Sequence, residues 1–202
     1  MLNIEIANIL VFQRLNIDIE QLDELDQNRL YQRKMFLLQT LGIDLGYSFI
    51  WSFNGVYSPD LYEYYHDNAK YLKSETITQE IKESTKQIID IVNSLDSEKP
   101  NDIDTLLWYE LLASMIYITS IEHSFKVNSK LVIFYQLYAH KKNKPSMAQF
   151  LCAYTALCNN GFESMLTQKF KQKSNLPMQK SKQDLDFERL SAIDFLGKYQ
   201  PD

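Results

Sequence analysis

RLYQRKMFLLQTLGIDLGYSFIWSFNGVYSPDLYEYYHDNAKYL, residues 29–72, carries the pattern from which the rest of the chain is read. Leu30, Met35, Phe36, Leu38 and Leu41 recur at three- and four-residue steps, which predicts a helix with one broad apolar face. Gly42 follows directly, where a helix commonly ends on a residue free to adopt positive φ. Phe49, Trp51 and Phe53 then alternate as side chains do on one face of a strand. Asn54-Gly55 is a tight-turn signal. Ser58-Pro59-Asp60 predicts the start of a second helix: a hydroxyl cap, a proline suited to the first turn and a carboxylate at the positive end. That helix is expected to turn Leu61, Tyr62, Tyr65, Ala69 and Leu72 inward. These features describe architecture and no particular chemistry.

Outward from this stretch the chain reads as further helices. Residues 3–15 form one, and 17–26 a short acidic connection. Thr76 and Gln79 have capping-box spacing at the head of a long helix carrying Ile77, Ile81, Ile88, Val92 and Leu95. Asp104 or Thr105 caps a helix running to about Ser120 that is apolar nearly all round, with Glu110 its only charge, as expected of a central element. Asn128 caps the next, with Leu131, Phe134, Tyr135 and Tyr138 on one face. Ser146 and Gln149 repeat the capping box before a helix that turns Phe150, Leu151, Tyr154 and Leu157 inward and stops at Asn159-Asn160-Gly161. A short helix follows over 162–171, then a lysine-rich stretch, then helical phase again over 185–199. The expected class is mainly α (α+β), a helical domain with a small winged-helix-like β-hairpin. Residues 1–171 are assigned to the domain and 172–202 to a lysine-rich linker and C-terminal helix.

With 202 residues, 45% of them hydrophobic, the chain has material for a substantial core. Its five glycines and five prolines favour long regular elements. Cys152 and Cys158 lie six apart in one predicted helix, on different faces, which argues against a mutual disulfide and for buried free thiols in a reducing cytosol. There is no signal-peptide pattern at the N-terminus and no apolar run long enough to span a bilayer, so a cytoplasmic location is expected. Charge is unevenly spread: residues 1–122 hold 9 Lys/Arg against 20 Asp/Glu, whereas 123–183 hold 10 lysines against Glu163 alone. Such polarity fits a charged partner, a nucleic-acid face or complementarity within the fold.

No catalytic arrangement stands out. His66, His123 and His140 are dispersed, and zinc spacings, phosphate loops, nucleophile elbows and dinucleotide fingerprints are all missing from the sequence. Cys152 or Cys158 with a distant histidine could imitate a thiol hydrolase, but both fall within an amphipathic helix, away from an activating helix start. No cofactor and no metal are expected. Candidate partner-binding residues are Trp51, Tyr57 and Tyr65 from the aromatic stretch and Lys141, Lys142 and Lys144 from the basic third. The lysines support phosphate affinity without sequence reading, because arginine, the usual fork for guanine edges, is absent from 34 to 188.

Several of these segments resemble the Panacea domain superfamily. The resemblance is carried by Arg29-Leu-x-Gln32 leading into Met35-Phe-Leu-Leu-Gln39-x-Leu-Gly42, then Leu45-Gly-Tyr47-x-Phe49-x-Trp51, then Asn54-Gly-Val-Tyr57-Ser-Pro-Asp-Leu61. Trp108-x-Glu110-Leu-Leu-Ala-Ser114-x-x-Tyr117 is similar to a later helix of the family's uncharacterised branch, and Lys144-Pro145-Ser146 followed by Ala153 to Gly161 is similar to that branch's last helical segment. The similarity spans residues 25–161. Two departures are Arg33-Lys34 in place of the family's lysine after glutamine, and Gly55-Val56 in place of Gly-Pro. The resemblance implies a helical domain with a winged-helix-like β element and no known catalytic residues. It also implies a protein partner, which for characterised antitoxin members is a toxin, in one case presented to a protease. A non-enzymatic interaction or regulatory protein, antitoxin-like and phage-associated, is therefore expected. The alternatives are a nucleic-acid-binding winged-helix-type regulator and an enzyme with an unrecognised site.

Overall fold

Trp108 to Ile118 form the inner wall of the molecule: apart from Glu110, every one of these residues is buried. The computed structural model describes residues 11–15, 24–52, 55–74, 81–121, 130, 133–134, 137–138 and 144–167. In order, the described elements are α1 (Leu25–Thr40), β1 (Ile50–Ser52), β2 (Gly55–Tyr57), α2 (Pro59–Ser74), α3 (Glu83–Ser94), α4 (Thr105–Ile121), α5 (Met147–Asn159) and α6 (Glu163–Thr167). The fold is mainly helical with one two-stranded antiparallel hairpin. A helix that is apolar on every side can be stable in water only when neighbours cover it. Accordingly α1, α5, α6 and β2 all pack on α4.

The predicted helix ends are realised by ordinary hydrogen-bond chemistry. At the end of α1, Gly42 takes φ +106°, its N–H donates to Gln39 O (3.0 Å), and Ile43 N donates to Leu38 O (3.2 Å). This paired closure satisfies carbonyls that the helix itself leaves open, and only glycine adopts that φ without strain. The same pair of bonds recurs after α5, from Gly161 to Cys158 O and from Phe162 to Leu157 O. Ser58 caps α2 by accepting from Leu61 N (3.3 Å), and Asp104 caps α4 by accepting from Leu107 N (2.8 Å). Ser146 and Gln149 form the complete reciprocal capping box of α5.

Ile50 pairs with Tyr57, Trp51 with Val56 and Ser52 with Gly55. Gly55, expected in the turn, is thus already paired as part of β2, and residues 53–54 lie outside the described ones. Gly55 keeps the positive φ, +97°, as the first residue of the returning strand. Trp51 and Val56 share the inner face: Val56 is buried and the Trp51 ring lies 5.4 Å from that of Tyr117 on α4. Phe49 is buried edge-on against Phe36 of α1, with centroids 5.3 Å apart.

Four expectations need correction. The helix through Val92 does not run unbroken from Thr76: Ile81 and Lys82 are not helical, and α3 begins at Glu83 after an extended Lys82 with no side-chain cap. Ile81 already packs on the core from that extended backbone, so its burial requires no helix upstream. Tyr62 is 42% exposed and Leu151 43% exposed, although the helical spacing placed both inward. Their neighbours Leu61 and Phe150 take the inward positions, and a residue next in sequence on a helix is rotated about 100° away. Cys152 is exposed and Cys158 half-buried; both are free thiols. Residues 3–10, Thr76–Gln79, Asn128 and everything after Thr167, including the expected helix over 185–199, lie outside the described residues.

Candidate interaction surface

The hairpin is held to the body of the protein by two glutamines of α1. Residues 43–49 form no regular structure, so their backbone groups need partners from elsewhere. Gln39 donates its Nε2 to Tyr47 O (2.9 Å) and accepts from Tyr47 N at Oε1 (3.0 Å). Two turns earlier, Gln32 treats Ser58 in the same way, donating to its carbonyl (3.1 Å) and accepting from its N–H (2.9 Å). Each side-chain amide thus imitates a strand neighbour, and together they clamp the chain just before β1 and just after β2. Ser58 is completely buried. Gln32→Ala therefore strands the buried Ser58 N–H and removes one of two donors from the Ser58 carbonyl, which still accepts from Tyr62 N at 3.1 Å. We expect a loss of about 1–3 kcal/mol in urea unfolding. A loss below about 0.5 kcal/mol, the level of an ordinary surface change, would show that the clamp is dispensable.

Two ion pairs with buried cations also hold α1 to its neighbours. Arg33, 2% exposed, donates to Leu106 O and to Glu110 Oε2, each at 3.0 Å. Lys34 is fully buried, donates to Asp96 Oδ2 at 3.1 Å, and lies 4.7 Å over the Tyr109 ring. Burial lowers both cations from their ordinary range, Arg33 to about 10, against the opposing pull of Glu110 and Asp96 respectively. Residue pattern alone did not single out these four polar residues of α1. The available signal was that Gln32, Met35, Phe36 and Gln39 follow helical spacing, so both amides belong to the apolar stripe.

With the hairpin so placed, its outer face and the start of α2 form one aromatic surface. Tyr57 and Ile50, cross-strand partners, are half-buried on the face opposite Trp51 and Val56. The Tyr57 ring lies 6.2 Å from that of exposed Tyr62, which lies 6.3 Å from His66 one turn further along α2. Exposed Asp60, Glu63 and Asp67 run beside this ladder at helical spacing. Burial first, then the charges of Tyr62 and Glu63, raise the Tyr57 hydroxyl above its ordinary value, in keeping with a phenol close to acidic groups. From residue 35 to 69 the sequence contains no lysine or arginine.

The candidate residues chosen from sequence are thus separated by the fold. Tyr57 belongs to this outer surface. Trp51 belongs to the inner side of the hairpin. Tyr65 is 3% exposed and turned into the core as its helical spacing implied, its ring 6.4 Å from those of Phe12 and Tyr31. It is therefore not available to a partner, and Tyr62 is the tyrosine of α2 that faces outward. Lys144 is exposed and belongs to another cluster, its Nζ 4.3 Å over the Tyr138 ring. Lys141 and Lys142 lie outside the described residues.

No group of three or more metal-ligating side chains gathers among the described residues. The Cys158 thiol is pushed up by burial and by Glu163, the direction opposite to that of an activated nucleophile. No described helix is long and apolar enough to cross a membrane. The interior is instead rich in phenols: burial raises Tyr31, Tyr47 and Tyr109 well above the ordinary tyrosine value of 10.0. As pH rises past that value the unfolded chain releases phenolic protons that the folded chain retains. Their contribution to stability is therefore complete below it and is lost as pH climbs above. At pH 11 we expect a loss of about 1.4 kcal/mol for each of the three. Arg33 and Lys34 offset part of this, because their lowered values make the folded state shed protons first. Urea midpoints that do not fall between pH 9 and pH 11 would contradict this assignment. No protein-family model, no curated protein and no solved structure matches the chain.

Proposed function

We propose that this chain is a non-enzymatic interaction or regulatory protein of the Panacea type, cytoplasmic and antitoxin-like, which engages a protein partner through the outer face of the hairpin and α2. The observation that carries the reading is the Tyr57–Tyr62–His66 ladder, in which Tyr62 and His66 are exposed and Tyr57 is half-buried. Aromatic rings presented to solvent on a rigid scaffold are the side chains that contribute most to protein–protein binding. The scaffold beneath them is rigid for a stated reason: the amides of Gln32 and Gln39 pin both ends of the hairpin. Polar groups elsewhere among the described residues, Arg33, Lys34, Glu110 and Asp96 in particular, are engaged in holding helices together.

A nucleic-acid partner at this surface is disfavoured by charge. A winged-helix hairpin that approaches phosphates needs cations, and this one carries Asp60, Glu63 and Asp67 beside it. The test is capture of the tagged full chain from its native host, beside a Tyr57→Ala/Tyr62→Ala variant. We expect a stoichiometric protein partner with the natural chain and its loss with the variant, at unchanged melting temperature. A toxic neighbouring gene product neutralised by co-expression would mark the partner as a toxin. Recovery of no partner, or of one retained equally by the variant, would overturn the reading.

A further inference from the structure

Resting on the interaction reading above, we infer that the Tyr57–Tyr62–His66 face receives an arginine-bearing segment of its protein partner. Two rows run side by side along the first turns of α2. One is the ring row, Tyr62 and His66, continued onto the hairpin by Tyr57. The other is the carboxylate row, Asp60, Glu63 and Asp67, all exposed. The two rows meet where Asp67 Oδ1 lies 3.7 Å from His66 Nδ1.

Rings beside carboxylates suit one class of side chain. A guanidinium stacks its plane on a tyrosine face while its edge N–H groups pair with a carboxylate, so one arginine uses both rows at once. A lysine ammonium can meet a ring and a carboxylate together, but as a point charge it lacks the flat face for stacking and the fork for two-point pairing. An apolar partner would leave the carboxylates beside it desolvated, and an acidic one would be repelled. The same chemistry already operates inside the protein, where Lys34 lies over Tyr109 with Asp96 as its carboxylate.

The experiment titrates the full-length chain at about 0.15 M salt, where diffuse attraction is screened beyond roughly 8 Å. The probes are an arginine octapeptide, a lysine octapeptide and a glutamate octapeptide, read by calorimetry. The expected order is arginine tighter than lysine, with no binding of glutamate. Tyr62→Leu, which keeps net charge and replaces an exposed side chain, should weaken the arginine peptide by about 2–5-fold. Glu63→Gln/Asp67→Asn should weaken it further than the charge-matched Asp90→Asn/Asp102→Asn control on other exposed carboxylates.

Equal weakening by the control pair, indifference to Tyr62→Leu, or equal affinity for arginine and lysine would each overturn the inference. The two readings can fail separately. A captured host partner that contacts this face through an uncharged or acidic segment refutes the arginine assignment and leaves the interaction function standing. Specific peptide binding at this face without any captured partner supports the surface chemistry and removes the proposed function.

Discussion

Glu110→Ala should cost about 3–5 kcal/mol, because it leaves the guanidinium of Arg33 buried without its carboxylate. Arg33 is 2% exposed and held from two sides, by the Leu106 carbonyl and by Glu110. Removing the carboxylate does not release the cation to water, since α1 packs against α4 along this contact. The backbone carbonyl remains as a partner, which places the expected loss towards the lower end of that range. Even so it is a large share of the roughly 5–15 kcal/mol by which a domain of this kind is stable. The opposite experiment isolates the cause. Arg33→Met with Glu110→Leu removes both charges, fills similar volume, and should recover most of the loss. Urea midpoints at constant m-value measure both. A double variant as unstable as Glu110→Ala alone would show that the pair is not what holds α1 on α4.

Trp108→Ala should cost about 3–5 kcal/mol through the cavity it opens at the centre of the fold. Trp108 is completely buried, and its indole Nε1 donates to Leu95 O at 2.9 Å. That bond joins α4 to the turn after α3, where Leu95 is itself fully buried. Tyr109 makes the parallel connection one residue later, donating its hydroxyl to Val92 O at 2.9 Å. Size and hydrogen bonding can be separated by Trp108→Phe, which keeps most of the ring volume but leaves the Leu95 carbonyl without this donor. We expect about 1–3 kcal/mol for that change. If Trp108→Phe were as damaging as Trp108→Ala, the lost hydrogen bond would outweigh the cavity as the cause of the instability.

These two sites explain how the surface is supported. The hairpin presents Tyr57 outward only because Trp51 and Val56 occupy its inner face over α4 and α1. The Trp51 ring rests against Tyr117, which in turn lies 6.1 Å from Phe36. Loss of the α1–α4 contact would therefore loosen the floor beneath the aromatic ladder. A partner-binding defect in Glu110→Ala should be read only beside its stability.

Local chemistry in the sequence was enough for several helix ends, the presence of the hairpin and the central helix, though not for the start of α3. Gly42, Ser58-Pro59, Ser146 with Gln149, and Gly161 each act within a few residues of chain, so their hydrogen bonds follow from neighbours alone. The continuous apolar character of residues 105–118 likewise required a covered helix whatever covered it. Side-chain direction in aromatic-rich segments was a different matter. Tyr62, Tyr64 and Tyr65 are equally apolar by composition, and only the docking of α2 beside Phe12 and Tyr31 turned Tyr65 inward and left Tyr62 in water. The same holds for Gln32, Arg33 and Lys34, whose partners Ser58, Glu110 and Asp96 lie 26, 77 and 62 residues away. A polar residue is buried at tolerable cost only where its partner arrives, and that meeting is a property of the assembled fold.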